Sequence, residues 1–163
     1  MATTTRLFRC PPEAVFAVLA DGWTYPTWVV GASRMRYVDE EWPEVGSRIN
    51  HSVGIWPAVI DDETVVVEWD APKRAVFHAK GWPIGEARIV VETRPHAEGC
   101  VVRIHEWAVR GPLQYVPRLL TDPPLDLRNR EALRRLAYLA EGQWVNDETE
   151  ERSDPEERGA TES

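Results

Sequence analysis

LDLRNREALRRLAYLAEGQW, residues 125–144, is the stretch on which the fold turns. Leu, Ala, Arg and Glu dominate it, and these residues lose little freedom in a helix. Leu125, Asn129, Leu133, Leu136 and Ala140 recur at a three-to-four spacing, so one face is an apolar stripe with an asparagine set into it. Such a stripe must be buried against something. The chain before it supplies six strand-like runs: RMRYVDE (34–40), SRINHSV (47–53), ETVVVEWD (63–70), RAVFHAK (74–80), EARIVVETR (86–94) and CVVRIHEWAV (100–109). Short Gly, Pro and Asp clusters separate the runs and suit antiparallel pairing. A long helix after such a series fits best against the concave face of one curved sheet, leaving room between them for a pocket.

The chain before these runs supplies one more strand and two short helices. TTTRLFR (3–9) reads as a first strand. Pro11-Pro12 then opens a helix whose Val15, Phe16, Val18 and Leu19 share a face. GWTYPTWVVGA (22–32) reads as a short helical turn broken by Pro26, and residues 111–124 as a long link with a helical turn. Strands segregated from helices indicate an α+β fold, not an alternating parallel one.

Length and composition bound what this fold can be. A chain of 163 residues with 43% hydrophobic residues fits one domain with a real core. The net charge of −8 is concentrated at the C-terminus. Residues 145–163 hold eight acidic residues and two arginines, a balance of −6, which leaves −2 for the other 144. The expected division is a single domain over 1–144 and a disordered acidic tail over 145–163, because the tail has too little apolar surface to offset ordering. Neither a basic stripe nor a recognition motif points to nucleic acid. No basic-then-apolar leader opens the chain, and no stretch approaches the ~20 apolar residues of a membrane span. A cytoplasmic location is expected. Two cysteines, Cys10 and Cys100, have no metal spacing, so neither metal nor other cofactor is expected.

Several stretches carry a family resemblance. PPEAVFAVLADGWTYPTWVVGA, VDEEWPEVGSRINHSVGIWP, GWPIGEARIVVE, VRGP and DPPLDLRNREALRRLAYLAEG together span roughly residues 3–142. They resemble the polyketide cyclase/dehydrase and lipid-transport group of the START-like (SRPBCC) superfamily. The resemblance implies a helix-grip fold: a curved seven-stranded antiparallel sheet wrapped around a long C-terminal helix, with two short helices after the first strand. It implies no single function, since members bind lipids, polyketides or hormones, act as cyclases, or have no assigned role. It also makes the first and last strands neighbours, which brings Cys10 and Cys100 close and raises a disulfide as one possibility.

Strand alternation then sorts the side chains. His51 shares parity with Ile49 and Val53 and is expected inside. Val65, Val67 and Trp69 form the expected inner face of their run, as do Ala75, Phe77 and Ala79, with His78 outside. Ala87, Ile89 and Val91 follow the same rule. In the last run Val102, Ile104, Glu106 and Ala108 share a face, opposite Arg103 and His105, which sends Glu106 inward. His51, Glu106 and Asn129 are thus three polar groups expected to look into one cavity. An unpaired buried carboxylate is costly, so Glu106 must be hydrogen-bonded, neutralised or wet.

Eight tryptophans are many for this length. Trp28, Trp56, Trp69 and Trp82 fall where a helix-grip pocket has its wall or mouth, although for each one core packing explains it as well. Trp42-Pro43, Trp56-Pro57 and Trp82-Pro83 bound strands, because proline cannot donate to a ladder. The expected ligand-binding set is therefore His51, Trp28, Trp56, Val67, Trp69, Phe77, Ile89, Ile104, Glu106, Asn129, Leu133 and Leu136. The first functional expectation is binding of a hydrophobic or aromatic small molecule, lipid- or polyketide-like. A second is a metal-free aromatic cyclase or dehydratase with His51 and Glu106 as acid/base candidates. A third is an interaction domain without a ligand. Nothing in the sequence fixes the oligomeric state.

Overall fold

The structure, a computed structural model, describes residues 2–55, 57–81, 85–111 and 118–153. Strand β1 (Ala2–Phe8) leads to helix α1 (Pro12–Ala20), a single 3-10 turn at Gly22–Thr24 and the short helix α2 (Tyr25–Trp28). Six further strands follow: β2 (Ala32–Val38), β3 (Arg48–Ile55), β4 (Ala58–Asp70), β5 (Arg74–Gly81), β6 (Gly85–His96) and β7 (Gly99–Arg110). Helix α3 (Arg118–Ser153) closes the fold. The strands make one curved antiparallel sheet in the order β1-β7-β6-β5-β4-β3-β2, gripping α3 as expected.

Local chemistry places the short elements. Pro12 occupies the first turn of α1, where its missing N–H costs nothing, and Glu13 sits at the positive end of that helix. Val15, Phe16, Val18 and Leu19 point into the core, one turn apart in pairs. Asp21 then accepts a hydrogen bond from Trp23 N at 3.0 Å, which turns the chain toward α2. Trp42 Nε1 donates to Leu19 O at 3.2 Å, and its ring stacks on Phe77 with centroids 5.8 Å apart. The β2–β3 connection is thereby tied to both α1 and the sheet.

The core lies between the concave face and the helices. Phe8, Ile49, Val66, Phe77, Val91, Val102 and Ile104 meet Leu133, Leu136, Ala137 and Ala140 of α3 there. Full burial of each large aliphatic side chain is worth about 1.5–3 kcal/mol, so this seam holds helix to sheet. The outer face carries the charges: Arg74 joins Glu92 and Glu68, and His78 Nε2 lies 2.9 Å from Glu86 Oε2.

Three boundaries differ from the sequence reading. β4 opens at Ala58, so Asp61 and Asp62 belong to a strand and not to a turn. α3 opens at Arg118, and the helical turn expected within 111–124 is the start of that helix. At its other end α3 continues to Ser153, past the boundary drawn at residue 144. Residues 154–163, the rest of the expected acidic tail, lie outside the described residues.

Candidate functional site

The inner face of the sheet is not wholly apolar. β3 and β4 pair so that His51 stands directly opposite Asp62, and both side chains emerge on the core side. His51 is 1% exposed, and its Nε2 lies 3.4 Å from Asp62 Oδ2. Two residues along β4, Thr64 is also fully buried and lies opposite Ile49. Helix α2 covers this corner. Tyr25 packs its ring against His51 with centroids 4.8 Å apart, and its hydroxyl lies 3.2 Å from Thr64 Oγ1. Trp28 packs edge-on against Tyr25 at 5.4 Å.

A second group of polar side chains comes from β7 and α3. Glu106 stands opposite Ile89 of β6 and Ala2 of β1 and is 4% exposed. Arg128 of α3 donates from Nη2 to Glu106 Oε1, so the buried carboxylate is paired. Asn129, the next residue on α3, is 3% exposed. The two groups meet at Tyr25. Burial pushes its hydroxyl well above the ordinary phenol range, and the hydrogen bond with Thr64 opposes the rise. The charges of Asp62 and Glu106 add to the rise and that of Arg128 reduces it. Tyr25 is therefore a neutral phenol at physiological pH, set among three charged groups.

Among the described residues, four buried atoms on these side chains have no hydrogen-bond partner: His51 Nδ1, Asp62 Oδ1, Glu106 Oε2 and Asn129 Nδ2. Such atoms cost about 1–3 kcal/mol each if left unsatisfied, so they are the chemically unfinished part of the interior. They can accept or donate hydrogen bonds to a guest, and His51 beside Asp62 has the form of an oriented imidazole.

The expected site residues fall out as follows. His51, Glu106 and Asn129 are all buried. Trp28, Phe77, Ile104, Leu133 and Leu136 are buried in the core, and Trp69 and Ile89 are half-buried against it. Trp56 and Trp82 lie outside the described residues. Val67 is a correction: it is 36% exposed, on the outer face. A bulge between Val66 and Glu68 breaks the alternation of β4, so the inner residues are Thr64, Val66 and Trp69 rather than Val65, Val67 and Trp69. The carboxylate beside His51 is Asp62, while Glu106 is held by Arg128. Cys10 and Cys100 are free buried thiols, so the disulfide raised by the resemblance is absent. Tyr25, Asp62, Thr64 and Arg128 were missed. The acidic triplet at 61–63 was the one available signal, since an acidic residue opposite an inward histidine follows once β3 and β4 are in register.

Among the described residues, no group of His, Cys, Asp and Glu could hold a metal ion, and no helix is long and apolar enough to cross a membrane. The sequence matches the family model described as polyketide cyclase/dehydrase and lipid transport over residues 2–141. No curated protein matches it. Among solved structures, a Staphylococcus aureus protein of unknown function is similar with a TM-score of 0.68 at 10% identity, covering 87% of this chain and 93% of the other. A Chromobacterium violaceum protein is similar at 0.63 and 18% identity, covering 85% and 96%. The di-domain ARO/CYC StfQ from the steffimycin biosynthetic pathway is similar at 0.64 and 15% identity, covering 86% of this chain and 50% of that one. At these identities the likenesses speak for the fold alone.

Proposed function

The chain belongs to the polyketide cyclase/dehydrase and lipid transport family, and from that premise we propose that it binds a hydrophobic or aromatic small molecule between the curved sheet and α3. The observation that carries this reading is the set of unpartnered polar atoms on His51, Asp62, Glu106 and Asn129, buried beside an apolar wall. Ligand sites commonly have this make-up, with apolar lining and a few convergent polar groups. Phe77, Ile104, Leu133 and Leu136 supply the apolar part, and Tyr25 and Trp28 add aromatic surface at little rotamer cost. The test is native mass spectrometry of freshly purified protein, followed by extraction and identification of the released mass. A retained apolar compound is expected. Protein that emerges bare, and takes up no member of a panel of lipids and aromatic ketones, overturns the reading.

One observation favours a second reading, catalysis on the bound molecule. His51 Nε2 faces Asp62 while Nδ1 has no partner among the described residues. An imidazole oriented by a carboxylate on one nitrogen can take a proton at the other, for instance from carbon beside a ligand carbonyl. In this reading Asp62 is the positioning residue, and Glu106 with Arg128 holds the ligand. Changing His51 to Ala separates the two readings. Loss of turnover with affinity kept supports catalysis; affinity lost in a protein that never turned anything over leaves binding alone.

A further inference from the structure

Resting on the reading of this interior as a ligand site, we infer that its guest presents a hydroxyl or amino group that donates hydrogen bonds, and does not enter carboxylate-first. The inventory of unfinished bonds is lopsided. With its proton turned to Asp62, the His51 imidazole offers a lone pair at Nδ1. Asp62 Oδ1 and Glu106 Oε2 are acceptors without partners among the described residues. Among the described residues Asn129 Nδ2 is an unfinished donor, and the Tyr25 and Thr64 hydroxyls, which share one hydrogen bond, leave at most one O–H more. Three acceptors against at most two donors call for a guest that brings N–H or O–H groups.

Charge points the same way. Asp62 and Glu106 are two carboxylates against one guanidinium, and Arg128 is already joined to Glu106. The cluster carries one net negative charge with His51 neutral and none with it protonated. With His51 neutral the cluster repels an anion, and burial makes that repulsion of a carboxylate head larger than it is in water. A hydroxyl or ammonium head is accepted by the same atoms that reject a fatty-acid head. The aromatic ring of Tyr25, which packs against His51 and feels the charge of Asp62, is compatible with either.

A matched series on one apolar skeleton tests this with the wild-type protein at pH 7. Naphthalene, 2-naphthol, 2-naphthylmethylamine and 2-naphthoate are compared by equilibrium dialysis. The alcohol or the amine should bind about tenfold or more tighter than the acid, the scale of one hydrogen bond to a charged group. Which of the two binds tighter tells hydroxyl from amine. If the acid binds as well as both or better while naphthalene is retained, the inference falls and the hydrophobic-ligand reading stands. If no probe is retained, naphthalene included, that reading fails and the inference with it. E106Q exchanges an acceptor for an amide that can donate, so it should narrow the gap. An unchanged gap in a variant that melts like wild type overturns the part given to Glu106, and the wild-type series stands independently of whether E106Q folds.

Discussion

At the scale of single residues, the meeting of Glu106 and Arg128 puts a buried carboxylate beside a cation. Glu106 is on an inner strand face, and its side chain is 5% exposed, while that of Arg128 keeps 36% and reaches water. The pair exists because a buried carboxylate without a cation would have to take up a proton or find water. Removing only the cation is therefore worse than removing both. Arg128→Met should lower stability by about 2–3 kcal/mol in urea denaturation, below the roughly 3–5 of a fully enclosed pair because Arg128 is partly solvated. Glu106→Leu combined with Arg128→Met should recover most of that loss. A double variant as unstable as Arg128→Met alone would show that the ion pair is not the source of the cost.

At the scale of elements, α3 combines a buried stripe with a charged outer face. Leu133, Leu136, Ala137 and Ala140 seat it, and Glu131 reaches Arg134 and Arg135 one turn on. The two guanidiniums hold the Glu131 carboxyl down to about 2, from an ordinary value of 4.5. A carboxyl whose folded value is depressed stabilises the fold above its unfolded value and loses that contribution as pH falls toward the folded one. The contribution of Glu131 is thus complete above about pH 4.5 and gone near pH 2. Glu131→Gln should melt slightly below wild type at pH 7, with the difference closing between pH 4.5 and 2. A difference constant with pH would mean that the side chain acts through packing or helix propensity and not through charge. The bulge in β4 is the other telling element. One extra residue between Val66 and Glu68 turns Val67 outward and lets Trp69 return to the core, where it meets Phe16 edge-on at 5.1 Å.

At the scale of the whole molecule, the grip of sheet on helix ends at Trp144, which packs against the core from a half-buried position. Beyond it Val145 is 57% exposed, and Asn146, Asp147, Thr149 and Glu150 are exposed as well. These turns are helical but bury little, and helix without tertiary burial is marginal. A chain ending at residue 144 should melt within about 2 °C of the full chain and keep its affinity for hydrophobic probes. A drop of 10 °C or more would place part of the fold's stability in the acidic segment.

Periodicity settled what depends on neighbours along the chain. The stripe in residues 125–144 marked a helix with one apolar face, and six short strand-like runs before it left one sheet as its seat. Alternation put His51 and Glu106 indoors because a strand sends every second side chain to the same face, and spacing put Asn129 on the buried side of α3. Partnership was not written locally. That Asp62 rather than Glu106 stands beside His51 depends on the register of β3 on β4, and that Arg128 answers Glu106 depends on how a helix crosses a strand 22 positions earlier in the chain. The bulge in β4, which moved Val67 out, is equally a property of two strands pairing. Burial follows from a residue's own period, but contacts between side chains far apart in sequence follow from packing, which only the folded chain decides.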